Sequence, residues 1–325
     1  MPASLSVWNT APAPAAAQRK GRYAPGSSAH PAKMLPKIAA HAISAYSRPG
    51  GLVLDPMCGI GTTLVEAIHL GRDALGVEYE PRWAALARLN TTTAVRESGA
   101  GFGSVRCGDA RDLTRLIPPE HHGKVDLVIT SPPYGSSVHG HVRSTRETGE
   151  RGVAKRCDRY SHDPSNLAHV STDRLLNAFT EILAQCRVVL RPGGTVVITT
   201  RPWRERGELI DLPSAVIAAG RAAGLTPTER CVALLAGIRD GRLIPRSSFF
   251  QMKYVRDARR QGIPLAVIQH EDVLVFTRPD PLAAQSAPTR RCRNAPVAAE
   301  ATRPRPPAAA LAPRTCTHRG RGARH

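Results

Sequence analysis

Between about residues 34 and 200, short apolar runs alternate with stretches whose apolar residues recur at helical spacing. The pattern predicts a helix from Met34 to Tyr46, a strand from Leu52 to Leu54 and a helix from Thr62 to Leu70. Next come a strand in "DALGVEYE", a helix around Trp83 to Asn90, a strand in "GSVRCGDARDL" and another in "KVDLVITSPPY". A helix from about Thr172 to Leu190 ends in "RPGG" and yields to the strand "TVVITT". Strands that alternate with amphipathic helices imply an α/β fold, a doubly wound and mostly parallel Rossmann-like sheet. Two further strand-like segments, Cys231 to Ile238 and Glu271 to Arg278, flank a basic helical stretch around "FFQMKYVRDARRQG" and predict a C-terminal antiparallel hairpin.

The ends of the chain read differently. Residues 1–29 are rich in Pro, Ala, Ser and Gly and are expected to form a flexible arm, with the folded domain spanning 30–279. Residues 280–325 alternate Arg with Ala and Pro, a composition expected to stay disordered. Lys and Arg number 45 against 26 Asp and Glu, a formal charge of +19, which points to a polyanionic partner such as nucleic acid. Seven cysteines without a C-x-x-C pair suggest neither a disulfide framework nor a zinc site and point to the reducing cytoplasm. No apolar run approaches the roughly 18 residues of a membrane span, and the interrupted "APAPAAA" is not read as a signal peptide.

The chemistry-bearing residues gather where the predicted strands end, which in an open parallel sheet is where ligands bind. Asp55 follows the first strand of the α/β unit; Gly59 and Gly61 allow close backbone approach, and Thr62 and Thr63 open the next helix. Glu78 ends the second strand roughly 20 residues on, where an acid can accept hydrogen bonds from a ribose diol. Asp109 ends the third, placed either to accept from an adenine amino group or to cap the turn. Together they predict an adenosine-containing cofactor, and the lack of G-K-[ST] argues against ATP bound by a P-loop.

The fourth strand runs into Ser131, Pro132, Pro133 and Tyr134. A hydroxyl, a carbonyl on a stiff backbone and a flat ring suit an exocyclic amino group on a base. Its lone pair is delocalised into the ring, and two acceptors on its hydrogens turn that pair toward an electrophile. A methyl on a sulfonium fits, and its in-line transfer depends on positioning and electrostatics.

"DPMCGIGTT" and "TSPPYG" resemble the cofactor and catalytic motifs of amino-group DNA methyltransferases, and "HPAKM" resembles a further family segment that packs on the methionine moiety of the cofactor. The likeness, over about residues 28–278, implies the class I methyltransferase architecture with S-adenosyl-L-methionine as cofactor. It places His30, Pro31, Lys33, Asp55, Pro56, Cys58, Gly59, Gly61, Thr62, Thr63, Glu78, Asp109 and Ala110 at the cofactor, and Ser131, Pro132, Pro133 and Tyr134 at the base. The leading serine leans toward cytosine N4 in DNA, with adenine N6 as the neighbouring alternative. A similar domain in tRNA guanosine-N2 methyltransferases makes RNA the other alternative.

Directly after this motif, Ser136 to His169 is dense in basic residues and is expected to close over substrate and grip phosphate through His139, His141, Arg143, Arg156 and Arg159. Trp203, in "RPWRERGE", is a candidate stacking surface for a base. His139 and His141 have no third ligand in suitable spacing, so no metal is assigned. Little chain is left for a separate recognition region. A non-catalytic nucleic-acid-binding role is disfavoured by the joint presence of Asp55, Glu78, Asp109 and the S-P-P-Y motif.

Overall fold

The computed structural model describes residues 5–99, 101–133, 141–143, 154–156, 163, 166–205, 208–247 and 249–282. In chain order the elements are β1 (Val7–Trp8), α1 (Ala15–Arg19), α2 (Pro36–Tyr46), β2 (Leu52–Asp55), α3 (Thr62–His69), β3 (Asp73–Glu78), α4 (Pro81–Ser98), β4 (Gly103–Cys107), α5 (Leu113–Leu116) and β5 (Val125–Thr130). They continue with β6 (His141–Arg143), β7 (Ala154–Arg156), α6 (Thr172–Val189), β8 (Leu190–Thr200), β9 (Trp203–Glu205), β10 (Glu208–Ile210), α7 (Leu212–Ala222), β11 (Thr226–Leu234), β12 (Gly237–Arg239), β13 (Arg242–Ile244), α8 (Phe249–Arg260) and β14 (His270–Thr277).

Eight strands form one sheet in the order β1-β11-β14-β8-β5-β2-β3-β4. From β4 across to β8 every pairing is parallel, whereas β14 runs antiparallel to both β8 and β11. Alternation of side chains explains why both faces are covered. Val53, Leu127, Ile129, Val197, Val273 and Val275 point into a core layer shared with α2, α3 and α4. Their neighbours Leu54, Val128, Val196, Ile198, Leu274 and Phe276 point into the opposite layer, with α5, α6 and α7. This is the doubly wound sheet expected from the sequence, with the expected antiparallel pair at β11 and β14, and its strand order is the class I methyltransferase architecture. The strand expected over Cys231 to Ile238 is shifted: β11 begins at Thr226 and ends at Leu234, and Gly237–Arg239 pairs with Arg242–Ile244 instead.

The expected flexible arm is corrected. Val7–Trp8 adds a parallel strand to the sheet edge, registering Val7 with Val232 and Trp8 with Ala233. Trp8 is 2% exposed and stacks on the His41 ring at 4.3 Å between centroids. The Thr10 hydroxyl donates to the Leu234 carbonyl (2.7 Å), and further along Arg22 pairs with the buried Glu66 (3.0 Å) while the Ala24 N–H donates to Asn90 (2.7 Å). Burying an indole offsets the ordering cost that a Pro/Ala-rich segment alone would not. The basic tail lies outside the described residues from 283 onward.

Candidate active site

Parallel β2 and β5 are neighbours in the sheet, yet β3 leaves β2 on one side and β8 leaves β5 on the other. At this reversal the loops at the strand ends part and leave a crevice. It is lined from one side by Asp55, Pro56, Met57, Cys58 and Gly59, by Thr62 and Thr63, and by Glu78 and Tyr79. His30, Pro31 and Lys33 close one wall, Asp109 and Ala110 another, and Ser131, Pro132 and Pro133 reach in from the end of β5.

The turn after β2 is held from beneath by two acids. Asp55 is 4% exposed; its Oδ2 accepts from the Thr63 hydroxyl (2.7 Å) and its Oδ1 from the Met57 N–H (3.1 Å). Burial raises its pKa to about 6, against the opposing effect of those hydrogen bonds. Glu78 Oε2 accepts from the Gly59 N–H (2.8 Å), and Oε1 accepts from the Glu80 N–H (2.9 Å). One carboxylate at the end of β3 therefore fixes the glycine turn at the end of β2.

Gly59 has φ +55°, and a Cβ there would lie 3.0 Å from the His30 Nε2. The missing side chain is what lets the buried His30 ring sit against the turn, its other neighbour being the Trp83 ring at 4.7 Å between centroids. The Lys33 ammonium donates to the Ser28 carbonyl (2.9 Å) and to the His30 carbonyl. Burial first, and Arg19 second, lower its pKa to about 8. Gly61, expected at the cofactor, also has a place in the packing. At φ +81° it starts α3, and a Cβ would sit 3.4 Å from Ala87 on α4, so its smallness serves the approach of the two helices.

Asp109 has both placements read from the sequence. It lines the crevice, and it also caps the short 3₁₀ turn after β4, accepting from the Arg111 N–H (2.9 Å) and pairing with the Arg111 guanidinium at 2.6 Å. Partial burial pushes its pKa up, but the Arg111 hydrogen bonds and charge outweigh this and hold it below the ordinary carboxylate range.

On the reacting side, Pro132 is buried and Ser131 and Pro133 are half-buried. Tyr134, His139 and Arg159 lie outside the described residues. His141, Arg143 and Arg156 fall on the two-stranded antiparallel ribbon of β6 and β7, where His141 registers with Arg156. The far end of the same insertion is anchored beside the cofactor side: the Tyr79 hydroxyl donates to Asp163 (2.6 Å), and the Asn166 amide donates to Glu80 (2.8 Å). Trp203 is corrected as a stacking surface. It is 9% exposed and packs into the core layer with α6 and α7, which leaves little ring face for a base.

Sequence reasoning missed Tyr79, Asn166, Leu167, Ile182, Thr199 and Glu271, all of which line the crevice, as does Arg201, the first residue of the "RPWRERGE" stretch. A signal existed for Glu271. It opens the apolar run of β14, and an antiparallel strand brings its first residues to the edge where the parallel strands finish.

Strand order and crevice together define the class: the fold of S-adenosyl-L-methionine-dependent methyltransferases. Residues 4–88 match the family model described as DNA methylase, N6_N4_Mtase, a stretch that runs from β1 into α4 and includes His30 to Lys33, Asp55 to Thr63 and Glu78. The chain is 32% identical over 127 residues to a tRNA (guanine(10)-N2)-dimethyltransferase of Methanocaldococcus jannaschii, covering 37% of this chain and 34% of that one. It is 35% identical over 110 residues to the protein of the same description from Methanothermobacter thermautotrophicus, covering 34% and 30%. The chain thus spans about a third of the length of these curated relatives. Among solved structures it is similar to TrmN from Thermus thermophilus (TM-score 0.44, 19% identity, 80% of this chain and 52% of that one). Both families resembled by the sequence motifs are therefore among the matches.

S-adenosyl-L-methionine is the cofactor of this class, and the crevice suits it. The glycine turn leaves room for close approach at Gly59, Glu78 stands where a ribose would need acceptors, and the acids Asp55, Glu78 and Asp109 favour a cationic sulfonium. Among the described residues no cluster of His, Cys, Asp and Glu could hold a metal, and no helix is long and apolar enough to cross a membrane.

Proposed function

We propose that the protein transfers a methyl group from S-adenosyl-L-methionine to the exocyclic amino nitrogen of a base in nucleic acid, with N2 of guanine in RNA as the favoured acceptor. The observation that carries this reading is the meeting of Ser131, Pro132 and Pro133 with the Asp55–Gly59–Glu78 turn in one crevice. The cofactor supplies an electrophilic methyl on sulfur. The protein supplies placement: the Ser131 hydroxyl and the Pro132 carbonyl accept from the two amino hydrogens, and the nitrogen lone pair is directed at the methyl carbon. As the N–C bond forms the C–S bond breaks, and the nitrogen, now cationic, releases a proton to water. Placement and a fixed polar surround account for the rate without a strong base.

The preference for guanine in RNA over the cytosine in DNA suggested by Ser131 is supported by the activity for which both relatives are named, tRNA guanine-N2 dimethylation. An amino-group DNA methyltransferase, acting at cytosine N4 or adenine N6, is the second reading, favoured by the description of the family matched over residues 4–88. The formal charge of +19 suits either polyanion.

Incubating purified protein with isotopically labelled cofactor and separate tRNA, ribosomal RNA and DNA pools, followed by mass spectrometry of the nucleosides, distinguishes them. N2-methylguanosine from RNA is the expected product. Label only in N4-methylcytosine or N6-methyladenine moves the assignment to DNA, and no label in any pool removes the enzymatic reading.

A further inference from the structure

Resting on the methyl-transfer reading above, we infer that Glu271 and Arg201 read the edge of the target base, and that they select guanine. Both line the same crevice as Ser131, Pro132 and Pro133. β5, β8 and β14 are successive strands of the sheet; Asp272 registers with Thr200, so Glu271 stands beside the residue that follows β8, Arg201. An acid and a base from two strands therefore sit together on the side of the crevice remote from the Gly59 turn's own strand, β2, with β5 and its prolines between them. Burial raises the Glu271 pKa, and the Arg201 charge in the same pocket acts against that rise, toward the carboxylate.

The three candidate acceptors differ at the atom next to the amino group. In guanine that atom is N1, which carries a hydrogen, and the next group along is the O6 acceptor. In cytosine it is N3 and in adenine N1, each bearing a lone pair. A carboxylate in the same crevice as the Ser131–Pro132–Pro133 turn, one strand removed from it, accepts from guanine N1–H and repels either lone pair, and the guanidinium between them donates to O6. A pocket built to hydrogen-bond one edge discriminates against bases that lack it, because its polar groups then lose the atoms they are placed to meet.

The test uses the full chain, labelled S-adenosyl-L-methionine and the same RNA and DNA pools, with calorimetric titration of the cofactor as an independent readout. Wild-type protein is expected to label guanosine. Glu271→Gln should lower kcat/KM by about 10- to 100-fold while cofactor affinity stays within about twofold, as loss of a hydrogen bond to a charged group predicts. Arg201→Met should give a smaller loss, and Glu271→Asp should recover part of the rate. Wild-type labelling of cytosine or adenine overturns the inference. So do unchanged rates on guanine in both Glu271→Gln and Arg201→Met, and so does loss of cofactor binding in Glu271→Gln, which would put Glu271 in the cofactor site. These outcomes leave methyl transfer itself standing. Cofactor binding by wild-type protein without label in any pool overturns methyl transfer and the base assignment together.

Discussion

The two sides of the crevice are built in different ways. The side proposed for the cofactor comes from neighbouring stretches of chain, Asp55 to Thr63 and Glu78, tied together by hydrogen bonds. The side proposed for the base is gathered from Ser131, Arg201 and Glu271, at the ends of three strands that the chain reaches far apart and in a different direction for β14. Local assembly gives a rigid turn that holds a common cofactor. Assembly across strands allows the base-facing residues to vary while the turn stays intact.

Gly59 is where the cofactor side should break most completely. Gly59→Val forces a branched side chain to φ +55° and into the His30 ring, and cofactor affinity is expected to fall at least about 100-fold in a calorimetric titration. Removing Ser131 tests the other side. Ser131→Ala should lower kcat about 10-fold or more, as loss of an acceptor to a developing charge predicts, with cofactor affinity unchanged. Equal losses of affinity in the two variants would erase the division between the sides.

Asp55 sharpens the contrast through its sign. A carboxylate raised from 3.8 to about 6 by burial costs on the order of 3 kcal/mol to keep ionised at neutral pH. The folded state holds the proton more tightly than the unfolded chain, so this group's contribution to stability falls as pH rises from about 4 to about 6. Asp55→Asn should therefore raise the thermal midpoint of the ligand-free protein at pH 7 by a few degrees and flatten that pH response, while weakening cofactor binding. A lower midpoint at pH 7 would show that the Thr63 and Met57 hydrogen bonds outweigh the desolvation.

The smallest effect is expected at Asp109. Its carboxylate is already engaged by Arg111, so Asp109→Asn should weaken the cofactor only about threefold to tenfold. A loss as large as that of Gly59→Val would mean that Asp109 is a principal contact of the adenine rather than a cap.

Much of this was legible in the residues because it follows from local pattern. The alternation of Val53 with Leu54, or of Ile129 with Val128, announces a sheet buried on both faces, and glycine next to acid at successive strand ends announces a ligand edge. At Gly61 the helix contact with Ala87 was not legible, because a glycine serving helix contact and one serving ligand approach look alike in one dimension. Trp203 misled because an aromatic flanked by arginines reads as a rim residue, while the short pairing of β9 with β10 turns it inward. Glu271 escaped because its meeting with Arg201 depends on which strand lies beside which. The arm was misread because its composition hid its anchoring residues, Trp8 foremost.

That anchor bears on how the protein is made. Val7 and Trp8 leave the ribosome more than two hundred residues ahead of their partners, Val232 and Ala233. The strand β1 must wait, unpaired, through that synthesis before its place at the sheet edge exists. Until then an indole and an open strand edge are exposed to other nascent chains, an aggregation hazard that ends only when β11 emerges. A bulky group inserted directly before β1 would crowd that late docking step, so a tag is better placed away from this segment.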